Sequence, residues 1–467
     1  MTRRTRHWID DWRPEDPEFW ANGGRQVARR NLVWSIFAEH LGFSVWLIWS
    51  VSSAFLLQTG FEFTAQQLFL LVAVPNLVGS LLRLPYTFAV PRFGGRNWTM
   101  VSAGLLLVPT LLFAVAVQNP GTPYWVFCLI AATAGFGGGN FASSMANINF
   151  FYPAHRKGTA LGLNAAGGNL GVAIIQLLLP VLVGGAGIFG LVRASDGGVH
   201  LQTAGFVYAG LAVVATIAAY LWMDNLTSAT SKPREQLAVV RKPHTWTMAF
   251  LYIGTFGSFI GYSAAMPLLI ELNFSGIVFA YYAFLGAAVG SLTRPFGGWL
   301  ADRYGGARVT LAAFVGLAAC TLGLLWTLGR MSAGSDNRES FPWFLGFFLL
   351  IFASTGIGNG STYKMIPAIW RREAEAATEA GTPERAAALS AATRQSSAAL
   401  GVIGAVGALG GFLIPLAFSS PWVGDPLSAT RGAFVVFACF YVVCALVTVA
   451  VYLRAPAKAT KPAMAGV

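Results

Sequence analysis

Twelve apolar runs of about 20 residues or more divide this chain, and that much unbroken hydrophobic sequence restricts the fold more than any motif does. The first six cover approximately 31–57, 64–89, 97–117, 122–150, 157–190 and 203–224. The second six cover 245–271, 276–300, 307–329, 342–369, 387–418 and 431–453. Hydrocarbon offers no hydrogen-bond partners, so each run must satisfy its own backbone and reads as a helix. Several exceed the minimum span, which implies tilt or protruding ends. Charged residues make up 11% of the chain, against about 25% in soluble proteins. The expected fold class is therefore an all-α membrane protein of twelve transmembrane helices in two six-helix bundles. The expected divisions are an amino-terminal segment 1–30, bundles 31–224 and 245–454, a polar linker 225–244 and a tail 455–467. The first 30 residues are polar and basic and do not read as a cleavable signal peptide.

The net charge of +12 sits in short loops rather than in a nucleic-acid-binding patch. Arg3, Arg4, Arg6, Arg13, Arg25, Arg29 and Arg30 lie before the first span. On the same side fall Arg92, Arg96, Arg156, Lys157, Lys232 through Lys242, Arg303, Arg308, Arg371, Arg372 and Arg454, whereas the opposite loops hold Arg193, Arg330, Arg338 and Arg431. The excess of Lys and Arg on one side predicts that both termini are cytoplasmic.

Two arginines interrupt the apolar runs in matching contexts. Arg83 lies in GSLLRLPYTFAVPRFGGR and Arg294 in GSLTRPFGGWLADRYGGAR. Gly79, Arg83, Arg92 and Gly94 align with Gly290, Arg294, Arg303 and Gly305 at one offset, 290 − 79 = 294 − 83 = 211. The chain thus reads as two copies of one unit. Each arginine stands nine residues before a cytoplasmic-loop arginine, so at 1.5 Å per residue it lies ~13 Å into a ~30 Å hydrocarbon core. A charge at that depth costs about 2.5–3.5 kcal/mol even on translocon scales, and such residues mark substrate pathways. Capping carbonyls, pairing with a buried acid or snorkelling are the structural alternatives. A guanidinium offers a flat fork of donors suited to a planar oxyanion, and two of them suggest a midplane site for a monovalent anion.

A second duplicated feature is glycine-rich. AGFGGGNFASSMANINFFYP (134–153) falls in the fourth span and STGIGNGSTYKMIP (354–367) in the tenth. Gly135, Gly137 and Gly139 correspond to Gly356, Gly358 and Gly360. No Lys-Ser/Thr follows, which excludes a phosphate loop. Small residues of this kind pack helices closely and also let them slide past each other. The four cysteines, Cys128, Cys320, Cys439 and Cys444, lie in apolar runs and read as reduced packing residues. No histidine has metal-ligand spacing, so neither a metal nor a cofactor is expected.

With an arginine in the second and eighth spans and paired glycine motifs, the chain resembles the NarK-type nitrate/nitrite porters of the major facilitator superfamily. The resemblance extends to LYIGTFGSFIG (251–261) and GLNAAGGNLGV (162–172), and GGWLADRYGG (297–306) resembles the superfamily's loop motif. The first-half counterpart of that loop departs from the pattern, with Pro91 in the place of Asp302 (302 − 211 = 91). The resemblance implies a secondary transporter of the major facilitator fold in the cytoplasmic membrane, carrying nitrate and nitrite in nitrate assimilation. It assigns anion binding to Arg83 and Arg294, hydrogen bonding to Asn169 and Tyr252, and the aromatic walls to Phe141 and Phe256. It assigns gating and packing to the six paired glycines and to Asp302. Taken as residues alone, Phe141 and Phe256 also suit ordinary packing, and Asn169 suits a bridge between helices.

Exchange of nitrate for nitrite is the favoured mode, because two cations that need an anion to close give a carrier that returns only when loaded. Proton symport is the alternative, with Glu39 and His40 in the first span as candidate titrating groups. Glu271 reads as an interfacial residue and Lys364 as a snorkelling one or a source of positive potential. A non-transporting anion sensor is disfavoured by the short linker, and an enzyme by the lack of any nucleophile–base pair. Because each chain holds both arginines, a functional monomer is expected.

Overall fold

The computed structural model describes residues 3–5, 7–184, 198–229, 238–419 and 425–454. Arg193, Lys232 and the tail 455–467 lie outside the described residues. The chain divides into two compact units, one of residues 1–232 with 280–284 and one of 233–279 with 285–467.

Eleven of the described helices are long and apolar enough to cross a membrane. The remaining expected span is the helix Ala283–Tyr304, made less apolar by its glycines, Ser291, Thr293 and Arg294. Burial separates inner from outer spans. In Pro243–Asn273 the apolar stretch is 94% buried, whereas in Pro426–Leu453 it is 28% buried. The latter exposes Val436, Val443 and Leu446, and Gly95–Ala116 likewise exposes Val101, Leu112 and Val115. Such faces are suited to lipid.

In the first unit, the helix Tyr124–Phe151 packs on Arg25–Trp46 and Ala65–Phe93. The glycines set the spacing. A Cβ on Gly137 would lie 2.0 Å from the Gly42 carbonyl oxygen, and one on Gly135 would lie 2.8 Å from the Gly79 nitrogen. The second unit repeats the arrangement between Phe341–Ala376 and its neighbours. A Cβ on Gly356 would lie 2.3 Å from the Gly290 carbonyl oxygen, and one on Gly358 would lie 2.7 Å from Thr255 Cγ2. Gly135 meets Gly79 as Gly356 meets Gly290, so the sequence repeat is also a repeat of backbone contacts. These glycines permit approaches that no side chain would allow.

The amino-terminal segment is more structured than its polarity suggests. Ile9, Trp12 and Trp20 join Ile148, Phe151, Leu226 and Ala229 in one apolar cluster, and Trp12 Nε1 donates to the Phe150 carbonyl at 3.0 Å. Trp8–Ile9 pairs in parallel with Asn225–Leu226. Asp224 accepts from Arg30 at 2.5 Å and from Asn31 at 3.2 Å, and Asn225 Oδ1 accepts from the Arg96 backbone N–H at 2.9 Å. Residues 225–229, at the start of the stretch expected as a polar linker, pack with the amino-terminal segment.

Candidate functional site

Arg83 is fully buried on the helix Ala65–Phe93. Its Nε donates to the Gly138 carbonyl at 3.1 Å, and its guanidinium carbon lies 4.8 Å from the Phe141 ring centre and 5.4 Å from the Trp46 ring. Trp46 is itself fixed by Nε1 donating to the Pro75 carbonyl at 2.8 Å. Close glycine packing is what brings the Gly138 carbonyl within reach: a Cβ on Gly138 would meet Gly79 Cα at 2.8 Å. Of the alternatives for this arginine, carbonyl capping is met at one nitrogen. Two aromatic faces flank the cation, which suits a positive charge removed from water.

Arg294 has the same kind of setting in the second unit. It is 5% exposed, and its guanidinium carbon lies 5.3 Å from the ring of Tyr363 on Phe341–Ala376. Tyr252 and Phe256 stack at 5.3 Å with an interplanar angle of 14°. Both are buried, and Tyr252 packs where a Cβ on Gly407 would lie 2.4 Å from its ring. The helix widens into a π-type turn over Ile253–Gly257, which starts just after Tyr252 and contains Phe256. Such turns insert an extra residue into a helix and recur at functional sites. Phe259, a turn further on, packs against Gly290, which is one turn from Arg294.

Asn169 is 1% exposed, and among the described residues neither atom of its amide has a hydrogen-bond partner. A buried amide left in that state calls for a ligand or a water. In the first unit the structure thus joins Arg83 with Phe141, and in the second it joins Tyr252 with Phe256. Trp46 and Tyr363 are the partners that sequence reasoning missed. Both are aromatic residues on other helices, and only the packing of those helices brings them to the arginines.

The remaining candidates fall into four settings. Glu39 is fully buried, and its Oε2 accepts from Ser144 Oγ and, at 2.6 Å, from Asn164 Nδ2. Ser35 and Ser144 lie 2.9 Å apart, Oγ to Oγ. His40 turns away, with Nδ1 3.1 Å from the Gly167 carbonyl oxygen. Lys364 is 2.5 Å from Asp302, and both are substantially exposed, so they form a surface ion pair rather than a lone snorkelling cation. Glu271 is part-buried near the end of Ser258–Asn273.

Residues 40–385 match the family model of the Major Facilitator Superfamily. The chain is 41% identical over 461 residues to "Nitrate/nitrite transporter NarU" of Escherichia coli (strain K12), covering 97% of each. It is 39% identical over 380 residues to "Probable nitrate/nitrite antiporter NarK2" of Thermus thermophilus, covering 78% of this chain and 83% of that one. Among solved structures, a D-xylose-proton symporter aligns with a TM-score of 0.61 at 14% identity, over 90% of this chain and 96% of the other, which bears on fold alone. The duplicated helical units, the buried arginine in each and these likenesses together place the chain in the major facilitator superfamily, among the NarK-type nitrate/nitrite porters.

Proposed function

We propose that the protein carries nitrate and nitrite across the cytoplasmic membrane by alternating access, exchanging one anion for the other, with both termini on the cytoplasmic side. The observation that carries this reading is the pair of buried guanidinium groups, Arg83 and Arg294, each braced by an aromatic ring and each in its own half of a duplicated fold. A guanidinium is planar, so its N–H donors lie in one plane. A trigonal anion presents oxygens in a plane, so a fork of N–H donors meets two of them at once. Phe141 and Phe256 would confine a flat ion, and Asn169 and Tyr252 would supply further hydrogen bonds.

Exchange follows from charge. Each arginine lies in a poorly solvated setting, and a bound monovalent anion offsets that cost. A carrier that is costly to close when empty returns only with a second anion aboard. The likeness to a nitrate/nitrite transporter and to a probable nitrate/nitrite antiporter supports the same reading. Because each chain carries both arginines, the monomer is the transporting unit.

The substrate assignment is tested in proteoliposomes loaded with nitrite, by following isotopically labelled nitrate uptake against competing external anions. Nitrite is expected to compete strongly, and chloride and acetate weakly. Equal competition by bicarbonate or acetate would overturn the assignment while leaving the two-arginine site in place.

A further inference from the structure

The exchange reading leaves one buried acid unused. Glu39 is fully buried in the first span, with Ser144 of the fourth and Asn164 of the fifth directed at the same carboxylate oxygen. Ser35, Ser144 and Asn164 are all buried too, so three helices converge on one ionisable group. Gly168 makes room for it, since a Cβ there would lie 2.2 Å from Glu39 Oε1. A packing residue needs none of this, and a leucine would fill the same space at lower cost.

The place of the carboxylate matters as much as its partners. Ser144 lies three residues from Phe141, a rise of ~4.5 Å along the helix. Phe141 in turn stands 4.8 Å from the Arg83 guanidinium carbon. Carboxylate and guanidinium are therefore on the order of 10 Å apart, within the same unit. At that spacing, with an effective dielectric constant of about 20, one unit charge alters the binding of another by roughly ten-fold or somewhat more.

The neighbouring elements supply few rivals. On the first span itself the near titratable group is His40, which faces the Gly167 carbonyl, and Arg29 and Arg30 lie some three turns towards the amino end. The fourth span has no titratable residue after Cys128, and the fifth has none after Lys157, with His155 and Arg156 beside it at the helix start. The second span brings Arg83, Tyr86 and Arg92, and the third brings Arg96, whose guanidinium donates to the Tyr220 carbonyl. The sixth brings Tyr208 and Tyr220, with Asp224 just beyond it on Arg30.

We infer that Glu39, held by Ser144 and Asn164, is a proton-binding site coupled to the anion site at Arg83, so that a proton on Glu39 tightens nitrate binding. This rests on the anion reading given above. The coupling is reciprocal: nitrate binding draws a proton onto Glu39 to the same extent that the proton favours nitrate. In exchange, the proton travels with the anion in both directions, and no net proton flux results. His40 has no part in it.

Nitrate is a strong acid's anion and does not itself titrate over the working range, which makes it the right probe. Nitrate affinity of the purified full chain is measured from pH 5 to pH 9, together with proton uptake when nitrate is added in weak buffer. The wild type is expected to lose on the order of ten-fold in affinity from acid to alkaline pH, and to take up protons on binding. Glu39→Gln is expected to bind tightly at every pH and to take up none, and His40→Gln to behave as the wild type. A pH-independent wild type that still binds nitrate would overturn the inference, even if the glutamine variant failed to fold. So would a Glu39→Gln protein that keeps the wild-type profile, or a His40→Gln protein that loses it. Absence of nitrate binding at every pH would instead refute the anion site itself.

Discussion

Arg83→Lys keeps the charge and removes the fork, so it separates electrostatics from geometry. In the structure the arginine does two things at once: Nε donates to the Gly138 carbonyl at 3.1 Å, and the guanidinium carbon lies 4.8 Å from the centre of the Phe141 ring. The two terminal nitrogens of a guanidinium form a planar, two-pronged edge of N–H donors. A lysine ammonium is one point donor; if it reaches the anion it gives up the carbonyl, and it cannot pair two oxygens in one plane. The loss is about one charge-assisted hydrogen bond to the anion, roughly 1.5–3 kcal/mol, or about ten- to a hundred-fold in affinity. Nitrate–nitrite exchange by the purified variant in proteoliposomes, over a range of nitrate concentrations, gives KM and the maximal rate. The expected result is a KM raised by that factor in a protein of normal thermal stability. An unchanged KM would show that only the charge matters, and the argument from a planar fork would fail.

Other outcomes follow from the same contacts. Tyr363→Phe is expected to keep transport and Tyr363→Leu to weaken it by about 0.5–2 kcal/mol in apparent affinity, since the ring face rather than the hydroxyl supports Arg294; equal behaviour of the two would refute that role. Gly137→Ala forces a methyl to within 2.0 Å of the Gly42 oxygen and is expected to cost at least about 1–3 kcal/mol, read as a lower unfolding temperature by tryptophan fluorescence. Trp12→Ala removes a ring from the amino-terminal cluster and a bond to Phe150, and a loss of about 3–5 kcal/mol is expected; a wild-type melting profile would mean that the segment is not a stabilising cap. Asp425, before the last span, caps that helix by accepting from the Ser428 backbone N–H, and hydrogen bonds from the Ser428 side chain and then its backbone hold the carboxyl below the usual range. A depressed carboxyl stabilises above the ordinary carboxylate range and ceases to do so as pH falls through its folded-state value. Asp425→Ala is therefore expected to cost about 1 kcal/mol at neutral pH and almost nothing in strong acid.

Much of this was legible in the sequence because it rests on local or repeated signals. Spans announce themselves by length, and Arg83 and Arg294 by charge in an apolar run and by their shared register. The paired glycines were readable as packing for the same reason. What stayed hidden depends on contacts between distant segments. Glu39 and His40 are adjacent in sequence and looked alike, yet one receives hydrogen bonds from the fourth and fifth spans while the other faces a backbone carbonyl. No local pattern separates them, because the distinction lies in residues more than a hundred positions away. The ordered start of the linker was hidden likewise, since Asp224 is fixed by Arg30 and Asn31. The π-type turn over Ile253–Gly257 left no sequence signal beyond Gly254 and Gly257. Lys364 read as a lone cation because its partner, Asp302, sits on another helix.

Exchange is the central claim, and nitrate uptake into proteoliposomes tests it most directly, with internal nitrite present or absent and a pH gradient imposed or collapsed. Uptake is expected to require internal nitrite and to proceed without a gradient. Uptake into nitrite-free vesicles driven by an acidic exterior would contradict the account and make the protein a proton symporter.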